Sequence, residues 1–171
     1  MRRQGLSLVE VLVAAGVMAL LAVFTVQAYM VSVDARRHSD VNELAQRNAM
    51  LGIEHLARLL RGAHVNLAES DGLVTELEID LPDINGEQLV VTTAGQPVFS
   101  QSVTVRVTNG HLLSIDSGGA ERPLAAVGDG GIAFEIVAPG LLEVSLDTDF
   151  AGERQERGRY RVVRRFHLPN Q

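Results

Sequence analysis

The chain contains no cysteine among its 171 residues. That excludes a disulfide framework, thiolate nucleophiles and any cysteine-ligated metal centre. Lysine is absent too, so all 15 basic residues are arginine, a bias with no functional reading of its own. No proline occurs before Pro82, so nothing of that kind interrupts a helix in the first 81 residues. Charge is missing from one long stretch: Val11 to Val33 holds 23 residues without Asp, Glu, Lys, Arg or His. Enzyme signatures are missing as well. There is no nucleophile elbow, phosphate loop, dinucleotide fingerprint or Ser-His-Asp order, and Gly128, Gly130 and Gly131 read as a turn. His38, His55, His64, His111 and His167 never fall three or four apart, as a helical metal site requires. The sequence therefore predicts no enzyme and no cofactor.

What is present begins at the N-terminus. Met1-Arg-Arg-Gln-Gly5 is followed by an apolar run broken only by Glu10. At 1.5 Å per residue the uncharged stretch spans roughly 35 Å as a helix, enough for a bilayer core of about 30 Å. It is too long for the apolar region of an ordinary secretory signal. Arg2 and Arg3 before the span predict a cytoplasmic N-terminus and a C-terminal part on the far side of the membrane. A carboxylate inside such a segment is costly and signals a function or a partner.

Arg2, Arg3, Gly5, Leu6, Ser7, Leu8, Val9 and Glu10, followed by the apolar helix, resemble the class III signal of type IV pilins and pseudopilins. The resemblance implies cleavage by prepilin peptidase between Gly5 and Leu6 and N-methylation of Leu6. It also implies a role for Glu10 in filament assembly, paired with the amine of a neighbouring subunit. The family's first mature residue is usually phenylalanine; leucine stands here. An ion pair of this kind, desolvated in a filament core, contributes register more surely than net stability. Removing the leader takes the net charge from −6 to −8, because two arginines leave with it. An acidic chain does not favour nucleic acid as a partner. Without cysteine, the disulfide-closed C-terminal loop of many major pilins cannot form.

Beyond Val33 the helical pattern continues with one apolar stripe: Val41, Leu44, Ala45, Ala49, Ile53, Leu56, Leu59, Leu60 and Ala63. Gly52 lies in the stripe, where close packing explains it, and Gly62 after Arg58 and Arg61 is a plausible stop. A helix from Leu6 to about Arg61 would be roughly 84 Å long. From Leu73 the period becomes two. Strands are predicted at 73–80, 88–93, 103–107, 111–115, 132–138, 141–147 and 159–168. Thr108-Asn109-Gly110 and Pro139-Gly140 mark hairpins, 117–120 a loop, and 151–158 a polar, mobile loop.

The predicted organisation is thus a leader over 1–5, a transmembrane or filament-core helix over 6–33, an amphipathic helix over 34–62, and an antiparallel sheet domain over 63–171. The fold class is α+β, with the amphipathic helix packed on the sheet. The stretches at 55–63, 132–147 and 164–170 are similar to minor pilins of the PilW type and to J-class pseudopilins of type II secretion. Such a subunit would meet prepilin peptidase, other pilins or pseudopilins, an inner-membrane assembly platform and membrane lipid, first in the bacterial inner membrane and then in a pilus or pseudopilus. The alternative is a signal-anchored periplasmic binding module or adhesin that never polymerises.

Two further groups stand out. Asp147, Asp149 and Glu153, read as lying in a loop after a strand, are weak calcium candidates, against the commoner reading of a solvated acidic loop. Arg159, Arg161, Arg165 and His167 fall on one face of the last strand. They form either a basic patch for DNA or an acidic neighbour, or an edge strand kept soluble by charge.

Overall fold

A computed structural model of the chain describes residues 7–67, 72–85, 88–152 and 156–168. It has two compact units, Met1–Ser39 and Asp40–Gln171. One helix, α1 (Leu8–Leu59), supplies the described helix of the first unit and the helical layer of the second.

In the first unit every residue from Ser7 to Ser32 is exposed, including Leu8, Leu12, Leu21, Phe24 and Val31. A helix apolar on all sides has no face to turn to water, and this one is long and apolar enough to cross a membrane.

In the second unit α1 buries Ala45, Ala49, Gly52, Ile53 and Leu56, steps of three and four that make one stripe. Leu44, assigned to the same stripe by sequence, is 47% exposed: it falls on the flank of the helix once Ala45 and Ala49 face the sheets. The helix stops at Leu59, and Gly62 takes the left-handed conformation (φ 81°) that ends helices without a Cβ penalty.

Ten strands follow: β1 (His64–Val65), β2 (Glu76–Pro82), β3 (Ile84–Asn85), β4 (Gln88–Leu89), β5 (Phe99–Thr108), β6 (His111–Asp116), β7 (Glu121–Ala126), β8 (Ile132–Ala138), β9 (Leu141–Ala151) and β10 (Arg157–His167). They form a five-stranded sheet of order β1-β2-β5-β6-β7, a three-stranded sheet of order β10-β9-β8, and the small ribbon β3-β4; all named pairs are antiparallel. The α+β class is as the sequence predicts. The Asn109-Gly110 turn has φ of 50° and 75°, both positive as a two-residue type I′ hairpin requires, and it sets the β5–β6 register from Thr108 opposite His111.

The structure departs from the expected elements at several points, the strand expected over 73–80 running instead over Glu76–Pro82. Strand 88–93 shrinks to Gln88–Leu89 plus a bridge from Val91 to Pro97. Residues 121–126 form β7, an edge strand whose Pro123 costs no ladder bond on an open edge. Asp147 and Asp149 lie within β9, not in a loop. The loop expected over 151–158 narrows, because β9 reaches Ala151 and β10 starts at Arg157.

The two larger sheets are joined by main chain. Val74 and Phe134 exchange hydrogen bonds of 2.9 and 2.8 Å, which ties the approach to β2 onto β8. The 127–131 turn does the same at the other corner: the Val127 amide donates to the Gly110 carbonyl (2.8 Å), and the Asp149 amide donates to the Val127 carbonyl (3.0 Å). Gly130 lies so close to β9 that a Cβ there would overlap the Asp147 carbonyl. The core between helix and sheets is Ile53, Leu56, Leu77, Ile79, Val105, Leu112, Val127, Phe134, Leu142, Val144 and Leu146, among others, all fully or nearly buried.

Helix and three-stranded sheet approach at glycine and alanine. A Cβ on Gly52 would sit 2.7 Å from Leu146 Cδ2 and 3.3 Å from Ala125 Cβ, so a larger residue there would press on both sheets at once. Further along, Thr148 Oγ1 lies 3.0 Å from the Ala45 carbonyl and 3.1 Å from the Tyr160 carbonyl. Its single proton serves one of them at a time. Gly158 of β10 lies directly against the helix backbone at Val41.

Candidate functional site

The first candidate is the start of α1. Gly5 and Leu6, the expected cleavage and methylation positions, lie outside the described residues. Glu10 is described and exposed. The Ser7 amide donates to Glu10 Oε2 at 2.9 Å, and the Glu10 amide donates to Ser7 Oγ at 3.3 Å. These reciprocal bonds are a capping box: each side chain satisfies an amide that the first helical turn leaves without a partner. A carboxylate in the first turn also suits the positive end of the helix dipole. The Ser-x-x-Glu spacing is the signal of this pairing in the sequence, where Ser7 otherwise stands only as part of the N-terminal motif. One Glu10 oxygen is engaged within the chain. The other, Oε1, has no partner among the described residues.

The second candidate is the outer face of the three-stranded sheet. Register places Arg159 opposite Asp149, Arg161 opposite Asp147 and Arg165 opposite Glu143. The charges meet accordingly: Arg159 Nε to Asp149 Oδ2 at 2.7 Å, Arg165 Nε to Glu143 Oε2 at 2.8 Å, Arg161 Nε to Asp147 Oδ1 at 3.7 Å, and Arg157 Nη1 to Asp149 Oδ2 at 3.6 Å. Arg161 Nε also donates to Ser145 Oγ at 3.0 Å. The two acids proposed for calcium thus face arginines. Glu153 lies outside the described residues, and among those described no cluster of three or more His, Asp or Glu side chains is arranged to hold a metal ion. The basic row is an edge strand whose charge is partly matched by its neighbour. A shallow depression of about 560 Å³ opens here, lined by Asp129, Gly130, Asp147, Asp149, Arg159 and Arg161, so it presents charge of both signs.

The five histidines are not brought together. The His64 and Phe99 rings meet at a tilt of 47° with centroids 6.0 Å apart, a packing contact. Arg164, on the face opposite the ladder, lies over the Phe166 ring at 5.7 Å. The chain matches no family model, no curated protein and no solved structure.

Proposed function

We propose that this chain is a minor pilin or pseudopilin: a structural subunit of a type IV pilus or type II secretion filament. The observation that carries the reading is the Gly5-Leu6 sequence followed by Glu10 in the first turn of a helix that exposes its apolar side chains all round as far as Ser32. In this reading prepilin peptidase cuts between Gly5 and Leu6 and methylates Leu6, and the residues to Val33 first span the inner membrane and then pack in a filament core. The N-terminus is cytoplasmic before cleavage, and the α+β unit is periplasmic. Other pilins or pseudopilins and the inner-membrane assembly platform are the partners, and the role is structural rather than catalytic.

The capping box supports a specific part for Glu10. Oε2 is held by the Ser7 amide, which fixes the carboxylate at the helix start and leaves Oε1 for the amine of a neighbouring subunit. The same bond favours the second reading, an anchored binding module, to this extent: one Glu10 oxygen is held within the chain, without a neighbour.

N-terminal peptide mass spectrometry of the protein from its own membrane tests the choice. A chain starting at Leu6 with one added methyl group is expected. A chain still starting at Met1 in a host with active peptidase would leave the anchored binding module as the better account.

A further inference from the structure

From the geometry of β10 we infer a docking edge for an extended acidic segment of another protein chain. This inference is independent of the filament reading.

β10 is the terminal strand of its sheet, and among the described residues nothing pairs with its outer edge. Its eleven residues keep an unbroken register with β9. The Leu168 amide donates to the Gly140 carbonyl (2.7 Å), and the Gly152 amide donates to the Glu156 carbonyl (2.6 Å). Hydrogen-bonded and non-hydrogen-bonded pairs alternate in an antiparallel ladder. The even-numbered residues of β10 therefore bond to β9, and the odd-numbered ones turn their amides and carbonyls to the open edge. Arg161, Val163 and Arg165 are odd. The residues that offer free main-chain groups are the same ones that carry the basic row.

The side chains are disposed for the same partner. Arg161 and Arg165 use Nε towards β9, and their terminal nitrogens make no bond to any described residue. Their side chains are 65% and 66% exposed, and Val163 between them is half exposed. A guanidinium has five donors in a fixed fork, so one engaged nitrogen leaves a pair for a second carboxylate. Charge also selects against the obvious wrong occupant. Two copies of β10 paired antiparallel about Val163 would set Arg161 against Arg165 at both ends, and like charges directly opposite destabilise a sheet. A strand reading acid-x-apolar-x-acid places a carboxylate opposite each arginine and an aliphatic side chain opposite Val163. That pattern is the same in either chain direction. Main-chain bonds supply affinity and alternate side chains supply specificity, as in other strand-addition complexes.

The test uses the full isotope-labelled chain in neutral detergent micelles and a synthetic peptide with glutamate at i and i+4 and valine at i+2. Salt-sensitive binding is expected, with new exchange protection at the amides of Arg161, Val163 and Arg165. Val163→Pro removes an edge donor without touching the β9 ladder, because that amide faces outwards. It should weaken binding by at least roughly tenfold, the order expected for loss of a main-chain bond and its register. Arg165→Glu should lose the acidic peptide and accept one with lysine at the matching position. Protection of β9 amides shows whether each variant is folded. The inference fails if a scrambled peptide of equal charge binds as well, if single-stranded DNA gives the same protection pattern, or if protection arises away from β10.

Discussion

Replacing Gly158 by alanine should loosen the helix from the sheet at one named contact. A Cβ at this position would lie 2.5 Å from the Val41 carbonyl carbon and 2.7 Å from Val41 Cγ1, and would overlap the Val41 carbonyl oxygen. Neither a helix carbonyl nor a Cβ has a rotamer with which to move aside, so α1 must lift at Val41. One turn later the helix accepts the Thr148 hydroxyl at the Ala45 carbonyl, 3.0 Å away, and that bond lengthens with the same movement. Overpacking costs about 1–3 kcal/mol; the Thr148 hydroxyl turns to the Tyr160 carbonyl, 3.1 Å away, when Ala45 recedes, so its displacement adds little. The reduced freedom of the unfolded alanine chain offsets about 0.4–1 kcal/mol. The net is a destabilisation of about 1.3 kcal/mol, which corresponds to exchange roughly tenfold faster for amides that open only with this unit. Amide hydrogen exchange across β9 and β10 in the micelle-bound full chain reads this directly. Thr148→Val, which keeps volume and removes the hydroxyl, should cost about 1 kcal/mol alone. Its effect should be less than additive with Gly158→Ala, because both act on the same helix–sheet contact. A Gly158→Ala chain as protected as the parent, with Thr148→Val adding its full cost, would refute the close approach at Val41.

Two further outcomes follow from buried or capped positions. Phe134→Ala empties a fully buried site at the junction of β8 with Val74 and should cost about 3–5 kcal/mol, seen as a large fall in the urea midpoint of the α+β unit. Ser7→Ala removes the hydroxyl that accepts the Glu10 amide and should cost about 1 kcal/mol at the helix start, read as faster exchange at Glu10, with Ser7→Thr close to the parent.

The elements that local chemistry decides were legible in the sequence. Asn109-Gly110 and Pro139-Gly140 carry turn signals that act over a few residues, and both hairpins form where expected. Gly52 broke the helical pattern in the middle of its apolar stripe, which made close packing the natural reading, and Leu146 and Ala125 are what it packs against. What stayed hidden depends on contacts distant in sequence. β7 contains Arg122 and Pro123, a poor strand by composition, and is a strand because β6 offers it a partner. Asp147 and Asp149 have loop-like composition yet extend β9, because the 127–131 turn bonds to one edge and β10 to the other. The split into two sheets was not legible at all, since it depends on where the chain turns at Val74 and Val127.

For the candidate sites the same division holds and has a sharper consequence. The arginines of β10 were visible as an alternating row, but their chemistry was not, because a charge means something different once its cross-strand partner is known. Paired at Nε and free at the terminal nitrogens, Arg161 and Arg165 are half-satisfied in a fixed direction, which a sequence cannot express. Glu10 follows the same logic at the other end of the chain. Sequence marks it as a carboxylate in an apolar helix that needs a partner. The structure supplies the first partner from Ser7, three residues away, and leaves one oxygen over. In both places an intramolecular bond orients an ionic group and leaves part of its bonding capacity open. An intermolecular contact made with that remainder starts from a fixed geometry, so less side-chain entropy is lost when it forms.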